Sequence, residues 1–184
     1  MQDFSLYVLD IVQNSLRAGA THVEISLCEE GDWLDFSVSD DGCGMTAEQL
    51  ERLDDPFFTT RRVRRVGLGV PLLKMLAQMT GGDVFVLSNP RGKTHGTTLT
   101  ARFGRRHIDF VPLGDLPATV VTLIQGNPEV DFTFSHETEK GSVQLSTAPL
   151  RARVGDEISL SEPEILRWIS GNLREQYKSL EIHI

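Results

Sequence analysis

Trp33-Leu34-Asp35-Phe36-Ser37-Val38-Ser39-Asp40-Asp41-Gly42-Cys43-Gly44-Met45 is the stretch from which the fold can be read. Leu34, Phe36 and Val38 alternate with polar or exposed-type residues, the two-residue period of a strand with one covered face. Continuing that period puts Asp40 on the covered side. A carboxylate aimed inward is costly unless it is paired or receives hydrogen bonds. Gly42 and Gly44 follow at once and let the backbone come close to a flat ligand. The same residues also serve simply to turn a chain, so the neighbouring segments must decide.

Upstream, residues 5–18 have helical spacing and end at Gly19, which suits a left-handed position past a helix C-terminus. Val23, Ile25 and Leu27 alternate as a strand, joined to the next one by Gly31-Asp32. Downstream, Thr46 with Gln49 three residues on is a capping-box signal for a short helix to about residue 53. After an Arg-rich loop, residues 71–80 read as a helix, with Pro71 in its first turn and Gly81-Gly82 past its end. Residues 84–87 and 97–103 read as strands joined by the turn Asn89-Pro90-Arg91-Gly92. Beyond Phe103 the character changes, with Arg105-Arg106 and Pro112-Leu113-Gly114 marking a junction. A helix is predicted over 116–125, strands over 130–136 and 142–146, and a last helix over 162–177. The expectation is a first domain at 1–104 and a small α+β unit at 105–184, with no internal repeat.

The 184 residues carry a net charge of −8, from 26 acidic and 18 basic side chains, which argues against general nucleic-acid binding. No apolar run is long enough to span a bilayer, and the opening Met-Gln-Asp-Phe-Ser is not a signal peptide. Cys28 and Cys43 form neither a CxxC pair nor a disulfide framework. A cytoplasmic, reduced protein is the expectation. Arg61, Arg62, Arg64 and Arg65 crowd into five positions. Such a run is ordinarily a solvated loop, but its place between glycine- and proline-marked segments also fits a lid that faces a polyphosphate.

Asp10, Asn14 and Arg17 are spaced i, i+4, i+7 and share one stripe of the first helix. An ordinary amphipathic helix would look the same. The three groups could also handle a nucleotide: carboxylate to orient a water, amide oxygen to hold Mg²⁺, guanidinium to pair with phosphate. Gly67-Leu68-Gly69 leads straight into a helix, where free N–H groups and the helix dipole favour an anion. An inward Asp40 beside Gly42 and Gly44 suits the exocyclic amine of adenine, and Thr97 could assist from the start of the last strand. Two other motifs fail on spacing. Gly92-Lys93-Thr94 ends like a P-loop, yet the earlier glycine it needs is Leu87. His136-Glu137 begins like a zincin motif, yet its second ligand position is Lys140.

The order of the pieces is specific. Asp10-x3-Asn14-Ser15-x-Arg17 resembles an N box, and Asp40-x-Gly42-x-Gly44 a G1 box. Asp55-Pro56-Phe57-Phe58 resembles an F box, Gly67-x-Gly69 a G2 box, and Gly96-Thr97 the final GT element. In that order, across the first hundred residues, they resemble the GHKL ATPases: histidine kinases, DNA gyrase and the heat-shock chaperone ATPases. The resemblance implies a two-layer α/β (α+β) sandwich, a mixed and mostly antiparallel sheet with helices on one face. It implies that Asp40 binds adenine, with Gly42, Gly44 and Thr97 around it. Asn14 would coordinate Mg²⁺, Arg17 would touch phosphate, Gly67, Leu68 and Gly69 would cradle the triphosphate, and residues 55–66 would form the lid.

Three departures qualify the activity. Asp10 stands where hydrolysing members carry a catalytic Glu, one methylene longer. Arg65 stands where histidine kinases have an earlier glycine. No histidine among His22, His95, His107, His136 and His183 sits in an H box. The reading is therefore ATP·Mg²⁺-dependent phosphotransfer to a separate protein, or slow ATP hydrolysis. The alternative is an ATP-gated interaction module with little turnover. Residues 108–115 resemble the continuation in certain stand-alone bacterial ATPases, some of them encoded near iron-hydrogenase subunits. The implied partner is a response-regulator-like protein or a redox enzyme, with a homodimer also open, and no nucleic acid or membrane.

Overall fold

The computed structural model describes residues 3–53, 69–90, 95–155 and 158–182. The predicted F box, the Arg-rich run with Arg65, and Gly67 and Leu68 lie outside the described residues.

Helix α1 (Phe4–Arg17) leads into the hairpin β1 (His22–Glu30) and β2 (Trp33–Asp40). Short α2 (Ala47–Glu51), α3 (Gly69–Met79) and the hairpin strands β3 (Val84–Asn89) and β4 (Gly96–Gly104) complete the first part. Then come α4 (Leu116–Gly126), β5 (Asp131–Thr138), β6 (Gly141–Ser146), α5 (Thr147–Val154) and α6 (Pro163–Ser179). The six strands form one sheet in the order β3-β4-β2-β1-β5-β6. Every neighbouring pair is antiparallel except β1 with β5.

Alternation decides which face is covered. Val23, Ile25 and Leu27 of β1, Leu34, Phe36 and Val38 of β2, and Leu99, Ala101 and Phe103 of β4 are all buried. They meet the apolar stripes of α1, α3, α4 and α6. This is the expected α+β sandwich with helices on one face. Start and stop signals act as read: Gly19 and Gly81 are left-handed (φ 75° and 85°). Thr46 and Gln49 form both bonds of the capping box.

Residues 105–184 are built directly onto this frame. Strand β5 runs parallel to β1, and Phe132 and Phe134 join the same buried cluster. The connecting segment is clamped to α1. The carbonyls of Pro112 and Leu113 accept from the N–H groups of Phe4 (2.8 Å) and Ser5 (2.9 Å), donors that a helix cannot satisfy internally. Phe110 packs on Phe4 and Phe103. Helix α5 has no counterpart in the sequence reading. It carries Pro149 in its first turn, where the missing N–H costs nothing, and buries only Thr147.

A buried polar chain fastens α6 to the sheet. His136 is fully buried, with Nδ1 2.9 Å from the Tyr177 hydroxyl and Nε2 3.2 Å from the Glu29 carboxylate. Arg105 closes the other Glu29 oxygen at 2.6 Å. The hydrogen bond from His136 holds the Glu29 carboxyl below its ordinary value; burial opposes this and Arg105 reinforces it. Burial, then the Glu29 charge, raises the Tyr177 phenol. A carboxyl depressed in the folded state contributes stability that is complete above its unfolded pKa. That contribution is lost as pH falls through the unfolded value toward the folded one. Urea unfolding should therefore show stability falling below about pH 4. Glu29→Gln should cost about 1–3 kcal/mol at pH 7 and flatten that acid limb.

Candidate functional site

Asp40 lies where β2 ends, and three elements converge on its carboxylate. Ser15 of α1 donates its hydroxyl to Oδ2 at 2.6 Å. The Gly42 N–H donates to Oδ1 at 2.9 Å, and the Thr97 N–H, from the start of β4, donates to the same oxygen at 3.3 Å. The inward carboxylate required by the strand period is thus supplied with donors, as burial demands. Asp41 does different work. It accepts from the Thr21 N–H (2.7 Å), the Thr21 hydroxyl (2.6 Å) and the His22 N–H (2.9 Å). Burial pushes its carboxyl up, but these hydrogen bonds outweigh burial and leave it below its ordinary value. Asp41 pins the loop to the start of β1, while Asp40 faces a cavity.

That cavity has a volume of about 370 Å³ and is bounded by α1, the loop after β2, α2, α3 and the ends of β3 and β4. Asn14, Arg17, Asp40, Gly44, Gly69 and Thr97 all line it. Gly42 stands behind Asp40 as a donor. Gly44 is left-handed (φ 65°), and a Cβ there would run into the Asn89 carbonyl, so only glycine lets the loop rest on the end of β3. Gly69 opens α3 against Asp10, whose carboxylate would be struck by a Cβ at that position. Asp10 itself is not among the residues lining the cavity.

Arg17 reaches back along its helix, with Nη1 2.9 Å from the Asn14 Oδ1 and Nη2 2.9 Å from Gln13 Oε1. The amide oxygen suited to a hard cation is therefore at the cavity and already faces positive charge. One oxygen ligand from the protein fits Mg²⁺, which retains water and takes its remaining ligands from phosphates. Among the described residues, no group of three or more His, Cys, Asp or Glu side chains could hold a metal by itself.

Several site residues were given no role from sequence. Ser15 is a buried hydroxyl on the apolar stripe of α1, four residues after Ile11 and seven after Val8. A polar residue at a core position was the available signal. Ser88 accepts from the Met45 N–H (2.8 Å) and lies 2.8 Å from the Thr97 hydroxyl. It ties the glycine loop to the β3–β4 hairpin. Met45, Leu53, Val70, Val86 and Leu99 supply apolar walls suited to a flat ring; nothing distinguished them from core in the sequence. A second cavity, of about 510 Å³, opens at the opposite end of the sheet. Its cations are engaged within the protein, Arg105 by Glu29 and Lys140 by the Glu181 carbonyl (2.7 Å).

No described helix is long and apolar enough to cross a membrane. The chain is 36% identical over 94 residues to an uncharacterised sensor-like histidine kinase of Rhizobium meliloti, covering 46% of this chain and 18% of that protein. It is 34% identical over 109 residues to the sensor histidine kinase WalK of Bacillus subtilis, covering 54% and 17%. The chain thus spans less than a fifth of these two relatives. Among solved structures it shares a fold with the ATPase domain of Aquifex aeolicus MutL complexed with ADP. That match has a TM-score of 0.52 at 20% identity and covers 84% of this chain and 68% of that one. The N-terminal domain of a DNA repair protein matches with a TM-score of 0.55 at 20% identity, covering 80% and 53%. Residues 2–107 match the family of histidine kinase-, DNA gyrase B- and HSP90-like ATPases, and the chain belongs to that family and carries its ATP-binding domain.

Proposed function

We propose that the cavity at Asp40 binds ATP with Mg²⁺ and that the chain acts as a histidine-kinase-like phosphoryl donor to a separate protein, or hydrolyses ATP slowly. One observation carries the nucleotide reading. A carboxylate offers about four acceptor positions. Three on Asp40 are taken by Ser15, Gly42 and Thr97. The remaining one, at the cavity, suits the exocyclic amine of adenine and not a ligand that presents an acceptor there. Thr97 also lines the cavity, its hydroxyl 2.8 Å from that of Ser88. Asn14 would hold Mg²⁺, which neutralises phosphate charge when bound. Arg17 would turn from Asn14 to the phosphates, exchanging a neutral acceptor for a charged one. Gly69, at the N-terminus of α3, would face the triphosphate; the sequence motif assigns phosphate contacts to Gly67, Leu68 and Arg65 as well, which lie outside the described residues.

The position of Asp10 favours a second reading, an ATP-gated interaction module with little turnover. Its carboxylate abuts Gly69 outside the cavity lining, so a water positioned for attack would need a rearrangement to meet it. In either reading, residues 105–184 are proposed as the part that meets a protein partner, response-regulator-like or a redox enzyme, in the cytoplasm.

Calorimetric titration with a non-hydrolysable ATP analogue and Mg²⁺ should give saturable heat and a raised Tm; no heat and no shift would overturn the reading. Asp40→Asn keeps the shape and the acceptor for Gly42 and Thr97 but presents an N–H₂ to the ligand. It should weaken analogue binding tenfold or more, about 1.4 kcal/mol, with the fold retained by circular dichroism. Asn14→Ala should shrink the difference between analogue affinity measured with Mg²⁺ and with EDTA. Asp10→Asn should leave analogue affinity within about threefold. A collapse of phosphate release in the same variant would favour turnover over gating.

A further inference from the structure

The two edges of the sheet are finished differently. At the β6 edge, Gln144 points its main-chain groups outward and both are capped by one side chain. Its N–H donates to Gln176 Oε1 (2.9 Å), and Gln176 Nε2 donates to its carbonyl (3.0 Å). Helix α6 thereby closes that edge to a further strand.

At the β3 edge no described helix plays this part, and the first outward N–H, that of Val84, is taken by the neighbouring Asp83 carboxylate (2.9 Å). The Arg102 N–H donates to the Asp83 carbonyl (3.0 Å), which fixes the parity of the β3–β4 ladder. Residues 85, 87 and 89 face β4, and residues 84, 86 and 88 turn their N–H and C=O groups to the open side. Among the described residues, no hydrogen bond reaches the outward main-chain groups of Val86 and Ser88. The side chains compound this. Val84-Phe85-Val86-Leu87 is apolar throughout, the composition of a strand covered on both faces. Only one face is covered here, and Phe85 is 66% and Leu87 76% exposed. Strand β3 carries no charged residue, so the usual protection of an edge by Lys or an internal Pro is missing.

We propose that the β3 edge pairs with the β3 edge of a second copy of this chain, antiparallel about a two-fold axis through Val86. The sequence of the strand is self-complementary in that register. Val86 falls opposite its own counterpart and exchanges both main-chain bonds with it; Val84 falls opposite Ser88, where the Ser88 N–H meets the Val84 carbonyl and the Val84 N–H exchanges the Asp83 carboxylate for the Ser88 carbonyl. Phe85 falls opposite Leu87, in the closer, non-hydrogen-bonded pairing where side chains touch. Asp83, the acid that borders the strand, comes opposite Asn89 and not opposite its own copy. Within the paired strands no like charges are brought together, even though each chain carries −8. Six residues of edge with two large side chains bury on the order of 800 Å² in total, below a standard stable interface. The dimer is therefore weak and reversible, with a Kd of roughly 10–1000 µM. Closed two-fold pairing uses up both open edges and stops there, which a heterologous contact would not do.

Sedimentation velocity across concentrations up to about 1 mM tests this on the full chain. A monomer–dimer equilibrium is expected, shifted at least tenfold toward monomer by Phe85→Lys with Leu87→Lys. Neither residue lines the nucleotide cavity, so ATP-analogue affinity measured at micromolar protein, where both forms are monomeric, should not change; the proposal thus stands or falls apart from the nucleotide reading. Register is tested by cysteine pairing. Phe85→Cys mixed with Leu87→Cys should cross-link on mild oxidation, since directly opposite Cα atoms lie about 4.5 Å apart. Either variant alone, and the wild type with Cys28 and Cys43, should link far less. A chain that stays monomeric throughout would overturn the proposal, as would a dimer indifferent to the lysines or one that cross-links equally in every combination. Strand addition by a different protein would appear as the first of these.

Discussion

The carboxylate of Asp40 is the point on which the first hundred residues depend. It joins a hydroxyl from α1, a backbone N–H from the glycine loop and a backbone N–H from β4. Each partner comes from a different element, so the bonds fix the mutual position of helix, loop and strand as well as the acceptor. Removing the acceptor would leave Ser15 and two main-chain donors to find other partners at a half-buried site, at about 1–3 kcal/mol for each one left unsatisfied. The neighbouring carboxylate divides the labour. Asp41 spends its acceptors on Thr21 and His22, which anchors the loop and frees Asp40 to face the cavity. Two adjacent acids thus have separate roles because the strand period sends them to opposite sides.

Arg17 and Asn14 illustrate how the free protein is held. A guanidinium beside an amide oxygen occupies the neighbourhood where a divalent cation and phosphates would come together. The hydrogen bond at 2.9 Å is between a charged donor and a neutral acceptor. An incoming phosphate offers the stronger, charge-assisted contact. On the proposed reading, Arg17 would trade its neutral acceptors on Asn14 and Gln13 for a charged one and uncover the amide oxygen in the same movement.

Most of the fold was legible because its signals are local. The period-two runs of β1, β2 and β4, the capping box at Thr46 and the glycines at positions 19 and 81 each specify their own few residues. The polar members of the site were legible for a related reason: Asn14, Asp40 and Thr97 stand at element ends or on a helical stripe, in a distinctive order. What stayed hidden depends on tertiary placement. Ser15 stood in the N-box motif without a role until Asp40 was brought beside it. Met45, Val86 and Leu99 are apolar wall and look like core. Asp10 shares the stripe of Asn14 and Arg17, yet Gly69 packs against it and the cavity opens one turn further along. The attachment of β5 alongside β1 is a parallel pairing more than a hundred residues apart in sequence, and no local pattern announces it. The composition of β3 did contain a signal of its own: four consecutive apolar residues imply two covered faces, and the chain itself covers one.

Strand β3 is where the two halves of the functional reading meet. Alternation sends Val86 to the cavity and Phe85 and Leu87 to the outer face of the same edge strand. Its far end is tied to the glycine loop twice, through the Met45 N–H on Ser88 and through the close approach of Gly44 to Asn89. A nucleotide that orders this loop would also fix the end of β3. A strand laid along the edge would hold β3 from the other side. If both events order β3, whichever comes first lowers the ordering cost of the second. Linkage makes any such coupling reciprocal: if nucleotide strengthens edge pairing by some factor, pairing strengthens nucleotide binding by the same factor. The direction is set by geometry, because the two surfaces lie on opposite sides of one strand and do not compete for space. On the proposed reading Val86 links the two, since it gives its side chain to the cavity wall and its main chain to the edge.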